Sequence, residues 1–288
     1  MTDRIVLLGT KGGPAIRPGG AMPTSSLLQL AGLNIVVDCG LGVARSLVEA
    51  GVALPKIDAV FITHLHSDHV LELGPLLHTA WTTGLKRPIP VFGPVGTTVY
   101  MRHFLASMAF DNTIRVEDEG RIPLNDLVSV TEYDEGALPP LSGIGVDALR
   151  VDHPPVTDCF ALRFSHSGRR VVFSADTAYF PPLAEFAHRA DVLVHEAMLP
   201  EGVDRLVART GNAARLKQHL HASHCTVADA AKIAKDADVG HLCLNHLIPA
   251  DDPEITAEDF ERQARTIWQG SLTIGDDGVE IPIGGSTD

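Results

Sequence analysis

The sequence predicts an α/β protein built as an αββα sandwich, with two mixed β-sheets inside and helices outside. Two observations support this prediction. Apolar, β-branched runs typical of strands recur in both halves of the 288-residue chain, and each half also contains segments with helical periodicity. No linker, internal repeat or low-complexity tract separates the halves, so we expect one domain over residues 1–288.

The first half begins with a strand over Ile5–Leu8 and a loop rich in glycine and proline over Gly9–Pro23. Two apolar runs, Ser26–Leu30 and Asn34–Val37, lie three residues apart and predict a hairpin. A helix is predicted over Val43–Ala50. The next four elements alternate between strand and helix: Ala59–Thr63, Val70–Thr82, Ile89–Phe92 and Thr97–Phe110.

The second half contains most of the predicted strands. They lie at Leu127–Thr131, Val146–Val151, Cys159–Phe164, Arg170–Ser174, Val192–Val194, His241–Leu244, Leu272–Ile274 and Val279–Ile283. Helices are predicted around Leu206–Arg209, Ala213–Leu220 and Val227–Lys235, with a final one after Thr256. Thr226 with Asp229, and Thr256 with Asp259, have the spacing of capping boxes at the last two helices.

Composition excludes several classes of protein. Lys and Arg total 23 against 36 Asp and Glu, a formal charge of −13, which argues against nucleic-acid binding through the overall field but leaves room for a local basic groove. No apolar run approaches the ~20 residues of a membrane helix. The start of the chain lacks a secretory apolar segment and the four cysteines are scattered, so we expect a cytoplasmic protein with free thiols.

The segment His64-Leu65-His66-Ser67-Asp68-His69 carries the strongest chemical signal. Four potential metal ligands lie within six residues, directly after a predicted buried strand. Imidazole nitrogens suit zinc, and a carboxylate adds an oxygen ligand. At a strand end, His64 and His66 point the same way, while Asp68 and His69 lie beyond the turn. A solvated, histidine-rich turn is the alternative interpretation.

Three further ligand types follow other predicted strands. They are His153, Asp176 and His246, each at a point where an apolar strand stops. Such strand ends are where α/β proteins place their chemistry. Each residue alone is more often an ordinary loop residue, but together with the histidine-rich segment they favour a metal site.

These motifs resemble those of the metallo-β-lactamase superfamily of binuclear zinc hydrolases. The segment HLHSDH matches the H-x-H-x-D-H motif, and Asp38 in VVDCG, His153, Asp176 in SADT and His246 in LNH follow in the family order. Within the superfamily the tRNase Z and arylsulfatase branch is the most similar. Its secondary motifs match Gly9–Pro14, Phe173–Thr177, His195–Ala197 and His224–Thr226.

The resemblance implies a metallo-β-lactamase fold with two Zn²⁺ ions per chain, for which Mn or Fe can substitute. His64, His66 and His153 would bind the first ion. Asp68, His69 and His246 would bind the second ion. Asp176 would bridge both, and Asp38 would steady the metal-binding turn through hydrogen bonds.

The resemblance also implies a hydrolytic mechanism in which the two metals supply a bridging hydroxide at neutral pH. Asp68 would receive the proton of the water. His224 would protonate the leaving group, oriented by Glu196; the alternative is a solvated histidine beside a helix that Thr226 caps. Cys225 and Cys243 are near predicted site loops, but they lack the spacing of zinc ligands.

The expected substrate follows from two differences between this sequence and the tRNase Z pattern. Only 23 residues separate His153 from Asp176, which leaves no room for the long arm that grips tRNA, and Leu247 and Ile248 follow His246 without an arginine to hold a phosphate. Lys11 or Arg17 in the first loop could meet an anionic substrate or simply be solvated.

These departures favour a small-molecule hydrolase acting on a carboxylic ester or lactone, a sulfate ester or a phosphodiester. A nucleic acid or membrane partner is not expected, and a homodimer is possible by analogy. The alternatives are a tRNA 3′-end processing endonuclease similar to ribonuclease Z and, from another class, a metal-binding module without turnover.

Overall fold

The computed structural model describes residues 3–211 and 214–284, which form two seven-stranded sheets. The first sheet has the strand order β14-β1-β2-β3-β4-β5-β6. Its strands are β1 Arg4–Gly9, β2 Ser25–Leu30, β3 Leu33–Val37, β4 Ala59–Phe61, β5 Ile89–Gly93, β6 Val128–Glu132 and β14 Glu280–Pro282. The strands β1, β2, β3 and β14 pair antiparallel, and β3 to β6 pair parallel, so the sheet is mixed as predicted.

The second sheet has the order β13-β12-β11-β10-β9-β8-β7 and is also mixed. Its strands are β7 Gly136–Leu141, β8 Ile144–Arg150, β9 Phe160–His166, β10 Arg169–Phe173, β11 Val192–Met198, β12 His241–Ile248 and β13 Ser271–Ile274. The parallel strands β10 to β13 bring their carboxyl ends to one edge of the sheet.

Helices cover the outer face of each sheet. On the first sheet these are α1 Val43–Glu49, α2 Ser67–Val70, α3 Leu73–Thr82, α4 Thr97–Ser107, α5 Ala109–Glu119 and α6 Leu124–Leu127. With the second sheet lie α7 Pro182–Phe186, α8 Pro200–Thr210, α9 Leu216–Ser223, α10 Val227–Asp236 and α11 Ala257–Arg265. The predicted αββα sandwich is confirmed.

Strand periodicity explains the two-sided burial of β1. Ile5 and Leu7 point into the core between the sheets, whereas Val6 and Leu8 point to the opposite face and pack in the core that contains Val43 of α1. A strand covered on both faces is apolar throughout, which is why this run was recognisable in the sequence.

Several elements differ from their predicted bounds. The helix predicted over Val70–Thr82 is divided into α2 and α3, and the polar stretch after Phe110 forms the unpredicted helix α5. The strand predicted to stop at Val194 continues to Met198, so that it includes His195 and Glu196. The helix predicted from Ala213 begins at Leu216, and Ala213 itself lies outside the described residues.

None of the helices in the described part of the chain combines the length and apolar character needed to cross a membrane. The four cysteines are all buried and unpaired, as predicted. Of the two predicted capping boxes, that of Thr256 and Asp259 forms reciprocally. At α10 only half of the box forms: the amide of Asp229 donates to the hydroxyl of Thr226 at 3.2 Å, while the Asp229 carboxylate accepts from that hydroxyl rather than from the Thr226 amide.

Candidate metal centre

The histidine-rich segment lies where β4 leaves the first sheet. His64 and His66 follow this strand, and α2 begins at Ser67, so that Asp68 and His69 turn back toward the same point. Asp38 follows the adjacent parallel strand β3 and adopts a left-handed backbone with φ of 62°. The carboxyl ends of β3 and β4 therefore present five polar side chains at one place.

The second sheet contributes three side chains at the facing edge. His153 follows β8, and Asp176 follows β10. His246 lies within β12, where Asn245 pairs with Glu196 and Leu247 pairs with Ala197. His246 is thus the extra residue of a β-bulge, with φ of 44°, and the bulge is what points its side chain at the site.

Four predicted ligands converge on a first point. The Nε2 atom of His64 lies 3.0 Å from Nδ1 of His66, which lies 3.1 Å from Nε2 of His153. Oδ2 of Asp176 lies 3.7 Å from the His64 nitrogen and 3.8 Å from the His153 nitrogen. Ligand atoms around a tetrahedral metal with bonds of ~2.0–2.1 Å are about 3.3 Å apart, so this group has the dimensions of such a site.

A second group shares Asp176 with the first. Oδ2 of Asp68 lies 3.3 Å from Nε2 of His246 and 3.6 Å from Nε2 of His69. Both Asp176 oxygens contact this group: Oδ1 lies 3.3 Å from the His69 nitrogen, and Oδ2 lies 3.2 Å from the His246 nitrogen. The seven predicted ligands thus form two groups joined at one carboxylate.

Hydrogen bonds fix the tautomers of three of these imidazoles. Nδ1 of His153 donates to the carbonyl oxygen of Ser223 at 2.8 Å, and Nδ1 of His69 donates to Oδ2 of Asp38 at 2.8 Å. The Thr63 hydroxyl donates to Asp38, so it accepts from Nδ1 of His64 at 3.1 Å. A neutral ring with a proton on Nδ1 has a lone pair on Nε2, and all three lone pairs face the site.

Buried atoms without partners support the presence of a cation. Nε2 of His69 and Oδ1 of Asp176 are buried and have no hydrogen-bond partner among the described residues. Burial lowers the pKa of His153 to about 4, so its ring is neutral at pH 7. Buried carboxylates and lone pairs at one point are costly without a counter-charge, and this donor set of imidazole and carboxylate fits a divalent metal.

His224 and Glu196 form a buried pair beside the second group. Nδ1 of His224 lies 3.1 Å from both carboxylate oxygens of Glu196, and the His224 ring stacks on that of His246 with centroids 5.5 Å apart. Burial alone would lower the pKa of His224, but the Glu196 carboxylate outweighs this and raises it to about 9. The sequence-based pairing of these two residues is therefore present in the structure.

A cleft of about 380 Å³ opens above the two groups, a volume within the usual range of ligand pockets. Its floor includes His66, Asp68, Asp176, His224 and His246. Residues of the loop 11–17 line one part of the cleft, and another part is apolar. That apolar part consists of Leu206, Leu216, Leu220 and Ile248.

Sequence reasoning missed two residues that act directly on the candidate ligands. Thr63 connects Asp38 to His64, and the amide of Gly13 donates to Oδ2 of Asp68 at 2.8 Å. Lys11 is not solvated, because its side chain is buried against Asp251 at 2.9 Å. A threonine hydroxyl or a loop amide has no distinctive spacing in a sequence. Cys225 and Cys243 belong to neither group, as predicted.

Comparisons with known proteins agree with this geometry. The family model of the β-lactamase superfamily domain matches residues 33–247. The ribonuclease Z of Mycobacterium bovis (strain BCG / Pasteur 1173P2) is 33% identical over 276 residues, which cover 95% of each chain. Two crystal structures are similar in fold over 98% of this chain. The metallo-β-lactamase fold protein YhfI from Bacillus subtilis has a TM-score of 0.71 at 23% identity and is itself covered completely, and the short form of human tRNase Z has a TM-score of 0.68 at 21% identity with 99% covered.

The fold and the His/Asp cluster define a metal-dependent hydrolase. The chain belongs to the metallo-β-lactamase superfamily, and within it to the ribonuclease Z branch.

The predicted small-molecule substrate and the predicted lack of a nucleic-acid partner are wrong, because the relatives favour the alternative, tRNA processing. The missing arm was not diagnostic, since the M. bovis ribonuclease Z aligns over 95% of its own length and has little room for extra sequence. The charge of −13 was also misleading, because it averages over the whole surface. At the cleft itself, Lys11 and Arg17 share the single carboxylate of Asp251.

Proposed function

We propose that this protein is a metal-dependent endoribonuclease that processes the 3′ ends of tRNA precursors. The choice of substrate rests on the ribonuclease Z relatives, which align over almost the whole chain. The chemistry rests on one observation above all others: two ligand groups from facing sheets meet at the shared carboxylate of Asp176 beneath an open cleft. We also propose that residues 1–288 are one domain, since β14 near the end of the chain pairs with β1.

We assign two zinc ions to these groups, with Mn or Fe as possible substitutes. His64, His66 and His153 would hold one ion, Asp68, His69 and His246 would hold the other, and Asp176, which belongs to both groups, would be shared between them. Bound metals of this kind supply an activated water and neutralise the charge that develops on a phosphoryl group. Asp38 supports the second ion indirectly, because it orients the His69 ring through Nδ1.

The chain's own residues supply the proton transfers. Asp68 is held by the Gly13 amide through Oδ2 and receives the proton of the attacking water. His224 donates a hydrogen bond from Nδ1 to Glu196. The charged ring carries a second N–H at Nε2. Because His224 lines the cleft, that proton is available to the oxygen atom that leaves when the RNA backbone is cut.

Cleavage of a precursor tRNA tests the proposal. The purified protein, loaded with zinc, is incubated with a transcript that carries a 3′ trailer, and the products are mapped at single-nucleotide resolution. We expect one cut at the end of the tRNA body, no cut in the mature tRNA, and loss of the reaction in excess chelator. An intact precursor after long incubation with zinc-loaded protein, while an aryl phosphodiester is hydrolysed, would contradict the assigned substrate.

A further inference from the structure

The cleft contains positively charged side chains that the metal chemistry does not use. Lys11 and Arg17 come from the first loop and line the cleft together with Asp251, which lies five residues after His246. Nζ of Lys11 lies 2.9 Å from Oδ2 of Asp251, and Nε of Arg17 contacts the same oxygen. The two cations of the first loop therefore share one carboxylate, which Arg209 also contacts, so that three positively charged side chains surround Asp251.

The two cations differ in what they can still bind. The side chain of Lys11 is only 4% exposed, and its ammonium also donates to the carbonyl oxygen of Ala15. Lys11 therefore stabilises the loop and is poorly accessible to a ligand. Arg17 is 37% exposed and has no ion pair other than that with Asp251 among the described residues. Its guanidinium contacts the carboxylate through Nε, which leaves the two terminal nitrogens for another anion.

The Asp251 carboxylate has further support from behind. The terminal nitrogen Nη1 of Arg209, on α8, donates to the carbonyl oxygen of Asp251 at 2.7 Å, and Nη2 lies 3.5 Å from its Oδ1. The side chain of Asp251 is 4% exposed. The buried carboxylate attracts the guanidinium of Arg17 by charge and keeps it at this end of the cleft, although Nε makes no hydrogen bond among the described residues.

We propose that Arg17, positioned by Asp251, contacts a phosphate of the RNA backbone next to the bond that is cut. This inference rests on the proposed function and identifies a residue through which the cleft binds its substrate. It also explains how the chain manages without an arginine after His246: the positive charge comes from the first loop, and the segment after His246 supplies the carboxylate that positions it. Planar, paired N–H groups match the geometry of a phosphate.

The test compares an RNA substrate with a small phosphodiester. Bis(p-nitrophenyl) phosphate has no neighbouring phosphate, so Arg17→Gln should leave its hydrolysis within about twofold of the wild type. With precursor tRNA, the same variant should raise KM roughly tenfold with little change in kcat, the size expected for one charge-assisted hydrogen bond. Arg17→Lys keeps the positive charge but lacks the paired N–H donors of the guanidinium, so its KM for precursor tRNA should lie between those of the wild type and Arg17→Gln.

Salt dependence gives a second readout that a purely structural role would not change. Loss of one phosphate contact reduces the slope of log(kcat/KM) against log[salt] by about 0.7–0.9. Arg45→Gln is the matched control: Arg45 on α1 is 84% exposed, Glu49 is its one ion-pair partner among residues 3–211 and 214–284, and the substitution makes the same change in charge. It should change neither the slope nor KM.

The outcomes separate the inference from the proposed function. If the wild type cuts precursor tRNA and Arg17→Gln has wild-type KM and slope, or slows both substrates equally, the phosphate contact is wrong while the function stands. If the wild type does not cut the precursor, the function is wrong, and binding of the same intact RNA by fluorescence anisotropy decides the inference. A smaller salt slope in Arg17→Gln supports it, and equal slopes or no binding overturn it.

Discussion

At the scale of single residues, Asp38 determines how two imidazoles face the cluster. One of its oxygens accepts the Nδ1 proton of His69, and its carboxylate also accepts the hydroxyl proton of Thr63, which in turn accepts from His64. The carboxylate is buried, and it fixes which nitrogen of each ring carries the lone pair. Outer partners of this kind raise the basicity of the ligands and restrict their rotation.

Asp38→Asn should therefore weaken metal binding without removing a ligand. The carboxylate accepts with both oxygens, from His69 at Oδ2 and from the Thr63 amide at Oδ1, whereas the NH2 group of asparagine cannot accept, so one of these hydrogen bonds is lost. We expect the zinc affinity to fall by about 10–100-fold. Titration against a competing chelator, with metal content by elemental analysis, measures the change. Asp236→Asn, at the exposed end of α10, is the control, and equal affinities for all three proteins would contradict the role of Asp38.

His224 is expected to act on the leaving group and to leave metal binding unaffected. His224→Ala should keep its metal but cut precursor tRNA about 10²–10⁴-fold more slowly, because the departing ribose oxygen needs a proton. A nitrophenolate departs as a stable anion and needs none, so hydrolysis of bis(p-nitrophenyl) phosphate should fall much less. Rates for both substrates, measured at equal metal content, decide the point. An equal loss for both would exclude His224 as the proton donor.

The candidate ligands could be predicted from the sequence because their spacing is local or because each follows an apolar strand. His64 to His69 lie in one contiguous segment, His153 and Asp176 follow strands, and His246 follows the apolar run Leu242–Leu244 within β12. Contacts such as that of Lys11 with Asp251 could not be predicted, since 240 residues separate the two and nothing local links them. The same holds for Thr63, whose hydroxyl is identified only by the two side chains that it joins.

At the scale of elements, the first loop is attached to the bulged strand β12. The amide of Gly12 donates to the carbonyl oxygen of Leu247 at 3.1 Å, and the amide of Leu247 donates to that of Thr10 at 2.8 Å. This attachment brings the backbone of Gly12 against the ring of His246. A β-carbon at position 12 would lie 2.9 Å from that ring and 2.5 Å from Cγ1 of Ile248.

Gly12→Ala should displace His246 and weaken the second metal site. The added methyl group has no room, so both the Ile248 side chain and the His246 ring must shift. We expect fewer than two zinc ions per chain and at least a tenfold loss of kcat/KM on precursor tRNA, since small displacements of catalytic groups cost about this much or more. Gly145→Ala on β8, where the new β-carbon would meet only a carbonyl oxygen at 3.8 Å, is the control. Full zinc occupancy in Gly12→Ala would contradict the steric argument.

Two of the elements that the sequence failed to predict, α5 and β7, lack an apolar signal. Helix α5 buries none of its residues. Its ion pairs lie within the helix, where Arg115 pairs with Asp111 and with Glu119. Strand β7 contains two prolines and is mostly exposed at the edge of its sheet. Patterns of burial predict elements that face a core, so a solvated helix and an edge strand escaped detection.

At the scale of the whole molecule, the candidate metal centre lies between the two sheets and draws its side chains from both. His64, His66, Asp68 and His69 follow β4 of the first sheet, and the remaining ligands come from the second. The apolar core between the sheets lies beneath this edge. A bound cation therefore links the two layers at the end where the cleft opens, and the stability of the sandwich should depend on its occupancy.

Metal removal should consequently destabilise the complete fold rather than a single loop. A ligand that binds only the folded state stabilises it by RT ln(1 + [L]/Kd), about 2.7 kcal/mol at a hundredfold excess over Kd. We expect the midpoint of urea unfolding to fall in chelator and to rise with added zinc in proportion to the logarithm of its free concentration. Magnesium at the same concentration should have little effect, because it prefers oxygen ligands to imidazole. Identical midpoints with and without zinc would mean that the seven side chains do not bind a metal across the two sheets.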